Sequence, residues 1–157
     1  MKRKMKPLVE TITLDASVVV KWFKKGEAHE EESLSLRDAI LTSKIPATTS
    51  EWLLLEVVRG LVRANYPREK VDEAYSTLRE MTSVGFIEAL PIREVMDEAK
   101  GLEIDLSLFA SDAVYLATAI LTQAALITED RHLLDKHVVK YAQERGVKIT
   151  ALRDTTW

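Results

Sequence analysis

The sequence predicts an α/β fold with a central, mainly parallel sheet, and three features carry that prediction. Short β-branched runs alternate with longer stretches whose apolar residues recur every three or four positions. A helical stretch follows each strand-like run, the arrangement that pairs strands in parallel. Acidic residues stand directly after two of these runs, at the sheet edge where open α/β folds build their sites.

The length of 157 residues suits one domain spanning 1–157, large enough to bury a core without covalent staples. There is no cysteine, which excludes disulfides, thiolate metal sites and cysteine nucleophiles and fits a reducing, cytoplasmic setting. His29, His132 and His137 are too scattered to suggest a zinc centre. No apolar run approaches the roughly 20 residues of a membrane span. The opening MKRKMK is basic but is followed by Pro7 and Glu10, so residues 1–10 read as a flexible basic arm and not as a secretion signal. Charged residues make up 30% of the chain, with one asparagine and two glutamines, a composition that leans towards a thermophilic source. The net charge of −3 argues against a uniformly basic protein and leaves nucleic-acid binding to local clusters such as Lys21 with Lys24 and Lys25, or Arg131 with Lys136.

The first element, TITL at 11–14, is a strand that ends at Asp15, and a short helix begins at once with ASVVVKWF. Gly26 interrupts the pattern, and 27–43 forms a helix with an acidic start that its dipole favours. Ile45, Pro46 and Ala47 are extended, because the residue before proline is held in β-like dihedrals. Thr48 and Glu51 then read as a capping box opening a helix that runs to about Ala64. That helix, EWLLLEVVRGLVRA, is apolar on nearly every side and is expected to be largely enclosed. Glu56 sits within it and must reach solvent, pair with Arg59 or Arg63, or face a shared polar site.

Residues 68–83 form an amphipathic helix, 84–90 a strand, and 94–106 a helix following Pro91. The next helix, SLFASDAVYLATAILTQA, carries alanines that permit close approach to the sheet. Its odd member is Asp112, placed near the first turn with Ser107 or Ser111 as N-cap. AALIT at 124–128 is a second strand that exits into acids, Glu129 and Asp130. A helix over 135–145 stops at Gly146, and 147–152 is the final strand.

Each acid has a structural explanation by itself, since Asp15 can cap the helix after it and Glu56 can pair with Arg59. Four acids at strand exits and inside the most apolar helices form a pattern that capping does not predict. In a doubly wound sheet Asp15, Asp112 and Asp130 share one edge, with Glu56 reaching the cleft from the side. Converging carboxylates repel one another unless a cation holds them, and oxygen ligands with open positions suit Mg²⁺ or Mn²⁺. Such a centre serves hydrolysis of phosphodiesters.

The order TITLDASVVVKWF, LLLEVVRGL, ASDAVYLATA and LITEDRHL resembles the PIN-domain ribonucleases, and in particular toxins of the VapC type, over about residues 12–152. The resemblance implies a three-layer α/β/α sandwich with a central parallel sheet and an acidic cleft binding Mg²⁺ or Mn²⁺. It makes Asp15, Asp112 and Asp130 metal-site carboxylates and Glu56 the acid of the third helix. Ser17 and Thr128 become hydroxyls that orient carboxylates or water, and Glu129 an additional acid. It also implies an RNA substrate, a homodimer, and a cognate VapB-like antitoxin that enters the cleft or an adjoining groove. Trp22, Phe23 and Trp52 are candidates for that groove, with core packing the expected role of at least two.

Other readings fit less well. A haloacid-dehalogenase phosphotransferase needs a second aspartate where Ser17 stands, and a receiver domain needs a paired early acid and a late lysine. No phosphate-binding glycine loop is present. The non-enzymatic alternative is a PIN-like module that binds RNA or protein without cutting, whose mark would be loss of an acid. All four remain.

Overall fold

The computed structural model describes residues 10–157, so most of the basic arm expected at 1–10 lies outside the described residues. Five strands form one parallel sheet in the order β3-β2-β1-β4-β5. They are β1 (Ile12–Leu14), β2 (Ala47–Ser50), β3 (Ile87–Leu90), β4 (Ala125–Thr128) and β5 (Ile149–Ala151). Seven α-helices connect and flank them: α1 (Ala16–Val19), α2 (Glu30–Leu41), α3 (Leu53–Arg63), α4 (Arg68–Ser83), α5 (Ile92–Leu106), α6 (Ala110–Thr122) and α7 (Lys136–Glu144). This is the α/β architecture with a central parallel sheet that the sequence predicts.

The chain builds outward from β1 to β2 and β3, then crosses back through α5 and α6 to lay β4 on the other side of β1. The exits of β1 and β4 therefore flank the point where strand order reverses, the usual ligand crevice of such sheets. β1, β2 and β4 are buried throughout, as strands covered on both faces must be. α6 packs on β1, β2 and β4, and Ala113, Ala117 and Ala119 are fully buried there, the close approach that their small side chains permit. Gly60 has a similar role between α3 and the 3-10 turn Val20–Trp22: a Cβ there would stand 2.9 Å from Val20 Cγ2.

Several expectations need correction. Thr48, Thr49 and Ser50 do not open a helix but form β2. Thr13 and Thr48, partners in register, share a hydroxyl hydrogen bond of 2.8 Å, and the Thr49 hydroxyl donates to Leu14 O at 2.8 Å. β-Branched side chains that satisfy their hydroxyls across the sheet override the capping pattern. α3 starts only at Leu53, and Glu51 caps a different helix, accepting from Ile92 N at the start of α5 (2.9 Å). Nor is α3 enclosed: Leu53, Val57 and Leu61 are buried while Leu55 is 54% and Val62 51% exposed. Ser107 and Ser111 do not cap α6, whose N-cap is Phe109 with no side-chain bond, because Ser107 takes a left-handed conformation (φ 53°) that ends α5. α2 begins at Glu30, after a left-handed His29.

Candidate active site

Asp15 follows β1 directly and is 2% exposed. Its Oδ1 accepts from Ser17 Oγ (2.7 Å) and from Val18 N (3.4 Å), so the carboxylate does cap α1. Its Oδ2 accepts from Thr128 Oγ1, which belongs to the last residue of β4. Both hydroxyls also accept: Ser17 Oγ from Glu129 N (2.9 Å) and Thr128 Oγ1 from Asp130 N (2.9 Å). Two short side chains thus tie the exits of β1 and β4 to one carboxylate. Burial pushes the pKa of Asp15 up to about 7, and the charge of Asp130 adds to this while the Thr128 and Ser17 hydroxyls oppose it.

Asp112 stands in the first turn of α6 and is buried. Burial raises its pKa to about 6, with Asp130 and Glu56 adding repulsion and His132 offsetting it. Asp130 is half-buried, and its Oδ1 accepts from His132 N (2.7 Å) and Leu133 N (3.3 Å), which fixes the turn after β4. Glu56 does not pair with Arg59 among the described residues; its Oε1 accepts from Trp52 Nε1 (3.0 Å), one turn earlier. Glu129 has an Oε1 that is buried with no hydrogen-bond partner among the described residues. Asp15 and Asp112 thus each feel Asp130, and Asp112 also feels Glu56.

The donor set is entirely oxygen and its acids are penalised by burial and by one another, the condition that a hard divalent cation relieves. Among the described residues no three acids or histidines stand close enough to share one ion as they are. Asp15 Oδ1 is engaged by Ser17 and Val18 but Oδ2 by Thr128 alone, so Oδ2 keeps a lone pair for a cation beside the open oxygens of Asp112 and Asp130. The chemistry of the set fits such a cation, and binding one requires these acids to draw together.

The sequence profile of the PIN domain matches residues 12–139. The chain belongs to the PIN-domain family. No curated protein sequence matches it. Its PIN fold is similar to solved toxin–antitoxin structures at low identity. A chain of FitAB bound to an IR36 DNA fragment superposes with a TM-score of 0.64 and 14% identity, covering 94% of this chain and 99% of that one. One of VapBC2 from Rickettsia felis bound to a promoter DNA fragment gives 0.57 and 16% identity, with 90% and 98% covered. One of the VapBC-5 system from Mycobacterium tuberculosis gives 0.53 and 21% identity, again with 90% and 98% covered.

Sequence reasoning overlooked three neighbours of the acids in this PIN domain. Trp52 lies four residues before Glu56 and donates to it, a spacing that puts both on one helix face. His132 offsets the charge repulsion at Asp112 and packs edge-on to Phe109 with ring centroids 5.3 Å apart. Tyr115, three residues after Asp112, is buried with a hydroxyl that has no partner among the described residues. The i, i+3 spacing was the available signal for Tyr115. Of the candidate basic patches, Lys21 is buried with its Nζ donating to Ala28 O (2.7 Å), and Lys24 pairs with Glu27 (2.6 Å), so both serve the fold.

A second concave surface, of about 530 Å³, is lined by Trp22, Phe23, Arg37, Leu41, Thr77, Glu80, Met81, Val84 and Phe86, and by none of the acids above. Trp22 is a core residue whose Nε1 donates to Ser33 O (3.0 Å), and Phe23 is half-buried. Trp52 is 40% exposed and lies outside this groove, beside Glu56. Among the described residues no single helix is long and apolar enough to cross a membrane.

Proposed function

We propose that this PIN-domain protein is an endoribonuclease dependent on Mg²⁺ or Mn²⁺, and that it is the toxin of a type II toxin–antitoxin pair acting in the cytoplasm. The observation that carries this reading is the pair of buried carboxylates, Asp15 and Asp112, both coupled to Asp130 at the reversal point of the sheet. Asp15, Asp112 and Asp130 would hold the cation. When bound, it supplies positive charge that polarises the scissile phosphate and makes water a better nucleophile.

The chain's own residues supply the rest. Ser17 and Thr128 fix both oxygens of Asp15, so Asp15 would be the fixed point towards which Asp112 and Asp130 draw. Glu56, oriented by Trp52, would take a proton from water at the cleft. Glu129 adds negative charge next to Asp130. Arg131, exposed beside the acids and in no ion pair among the described residues, offers a cation to the RNA backbone.

The groove at Trp22, Phe23 and Phe86 suits the apolar segment of a VapB-like antitoxin, and the toxin–antitoxin nature of the similar structures supports such a partner. The exposed Leu55 and Val62 of α3 suit a homodimer contact. The test is cleavage of single-stranded RNA by purified protein with Mg²⁺, with Mn²⁺ and with chelator. Cleavage that needs the cation and is lost in Asp112→Asn supports the reading. A folded protein that binds RNA, cuts none and takes up no cation is a PIN-like binding module instead.

A further inference from the structure

Tyr115 is buried at 3% exposure, yet its hydroxyl has no hydrogen-bond partner among the described residues. A buried O–H without an acceptor is destabilising, and a partner from outside the protein, such as a water on a bound ion, can complete it. Tyr115 follows Asp112 by three residues on α6, which sets the two side chains on the same helix face. Its titration is pushed well up by burial and by the charges of Glu56, Asp15 and Asp112, so the oxygen lies within the field of acids from three different elements. A tyrosine hydroxyl is protonated at neutral pH in any case, and a phenol O–H amid carboxylates is a donor in search of an oxygen. A phenylalanine there would fill the same core volume without the penalty, so packing alone does not account for the hydroxyl.

We propose that Tyr115 is a positioning residue of the acidic centre, whose phenol O–H donates to a water of the hydrated divalent cation that Asp112 and its neighbouring acids hold. This rests on the cation-dependent reading above and adds to it a hydrogen bond from outside the carboxylate set. Mg²⁺ and Mn²⁺ keep several waters when few carboxylates bind them, so donors and acceptors around those waters set how tightly and in which orientation the ion sits. Tyr115 would thereby hold the ion's hydration shell in place without touching the phosphate.

Tyr115→Phe tests this, with Mn²⁺ binding by the purified chain followed through the paramagnetic signal of the free ion. The variant is expected to melt, free of cation, at the wild-type temperature or above, since it loses only an unpartnered hydroxyl. Its Mn²⁺ affinity is expected to fall about 10- to 100-fold, the usual cost of removing a partner that orients a metal's ligands. RNA cleavage should fall in kcat with KM for RNA unchanged. Wild-type Mn²⁺ affinity in the variant overturns the assignment while leaving the nuclease reading intact, and so does a lower melting temperature without cation, which would give the hydroxyl a structural partner. A wild-type chain that binds no Mn²⁺ overturns both.

Discussion

The acidic edge and the apolar groove are opposite bargains with solvent. At the edge, Asp15 and Asp112 are charged groups placed where water is excluded, and their pKa values rise to about 7 and about 6 as a result. At the groove, Val84 is 63%, Leu41 39% and Phe86 37% exposed, apolar groups placed where water is not excluded. Each arrangement is unfavourable in the isolated chain, and on the proposed reading each would be relieved by a different visitor: a cation at the edge, an apolar segment at the groove. The two share no lining residue, so on the proposed reading chemistry and partner binding would be separable by mutation.

The sharpest way to break that contrast is at the edge. Asp112→Asn is expected to lower RNA cleavage by roughly 10²–10³-fold, the scale for losing one preorganised electrostatic group, with an unchanged circular dichroism spectrum. Asp15→Asn should do the same to cleavage while raising cation-free stability at pH 8 by about 2 kcal/mol, read from urea unfolding.

The sign of that second effect follows from linkage. The ordinary aspartate value is 3.8 and the folded value about 7, so the folded state holds the Asp15 proton more tightly. Stability from this group is full below pH 4, declines as pH rises between about 4 and 7, and is flat above. The gain from Asp15→Asn should therefore vanish near pH 4. Cleavage runs the other way, because cation binding needs the ionised acids, and it should fall as pH drops through 7 to 6.

At the groove, Leu41→Glu with Val84→Glu is expected to weaken antitoxin binding at least about tenfold, seen by calorimetry, through loss of roughly 1.4 kcal/mol or more of apolar contact. Cleavage without antitoxin should be unchanged, which is what separates the two regions. The smallest effect is expected for Trp52→Phe, which removes the donor to Glu56 from an exposed site. A two- to fivefold drop in kcat, about 0.5–1 kcal/mol, is expected there.

Much of the edge is legible in the sequence, because its signals are local. A β-branched run ending in aspartate, and a strand followed by Thr128, Glu129 and Asp130, place carboxylates at strand exits without knowledge of the fold. Parallel pairing follows from the alternation of strands and helices. Strand order does not, since which neighbour β4 chooses depends on the crossover through α5 and α6. Residues 48–51 were misread because a capping box and a short threonine strand look alike locally, and the cross-strand hydroxyl bonds that decide between them join residues 35 apart. The enclosure of α3 was overstated for a related reason: apolar content does not tell which face meets a neighbour. For Tyr115 the sequence offers only its i, i+3 spacing from Asp112, since an unpartnered hydroxyl is a property of surroundings.

The hydrogen bond from Thr128 to Asp15 spans 113 residues of chain. The helices that carry Glu56 and Asp112 lie within that span, and the pairing of β4 with β1 delivers that hydroxyl together with Asp130. Such long-range strand pairing is slow to form and forms late. The acidic edge is therefore a product of the completed sheet: Asp15 is local to β1, but the Thr128 hydroxyl and Asp130 reach it only when β4 pairs with β1.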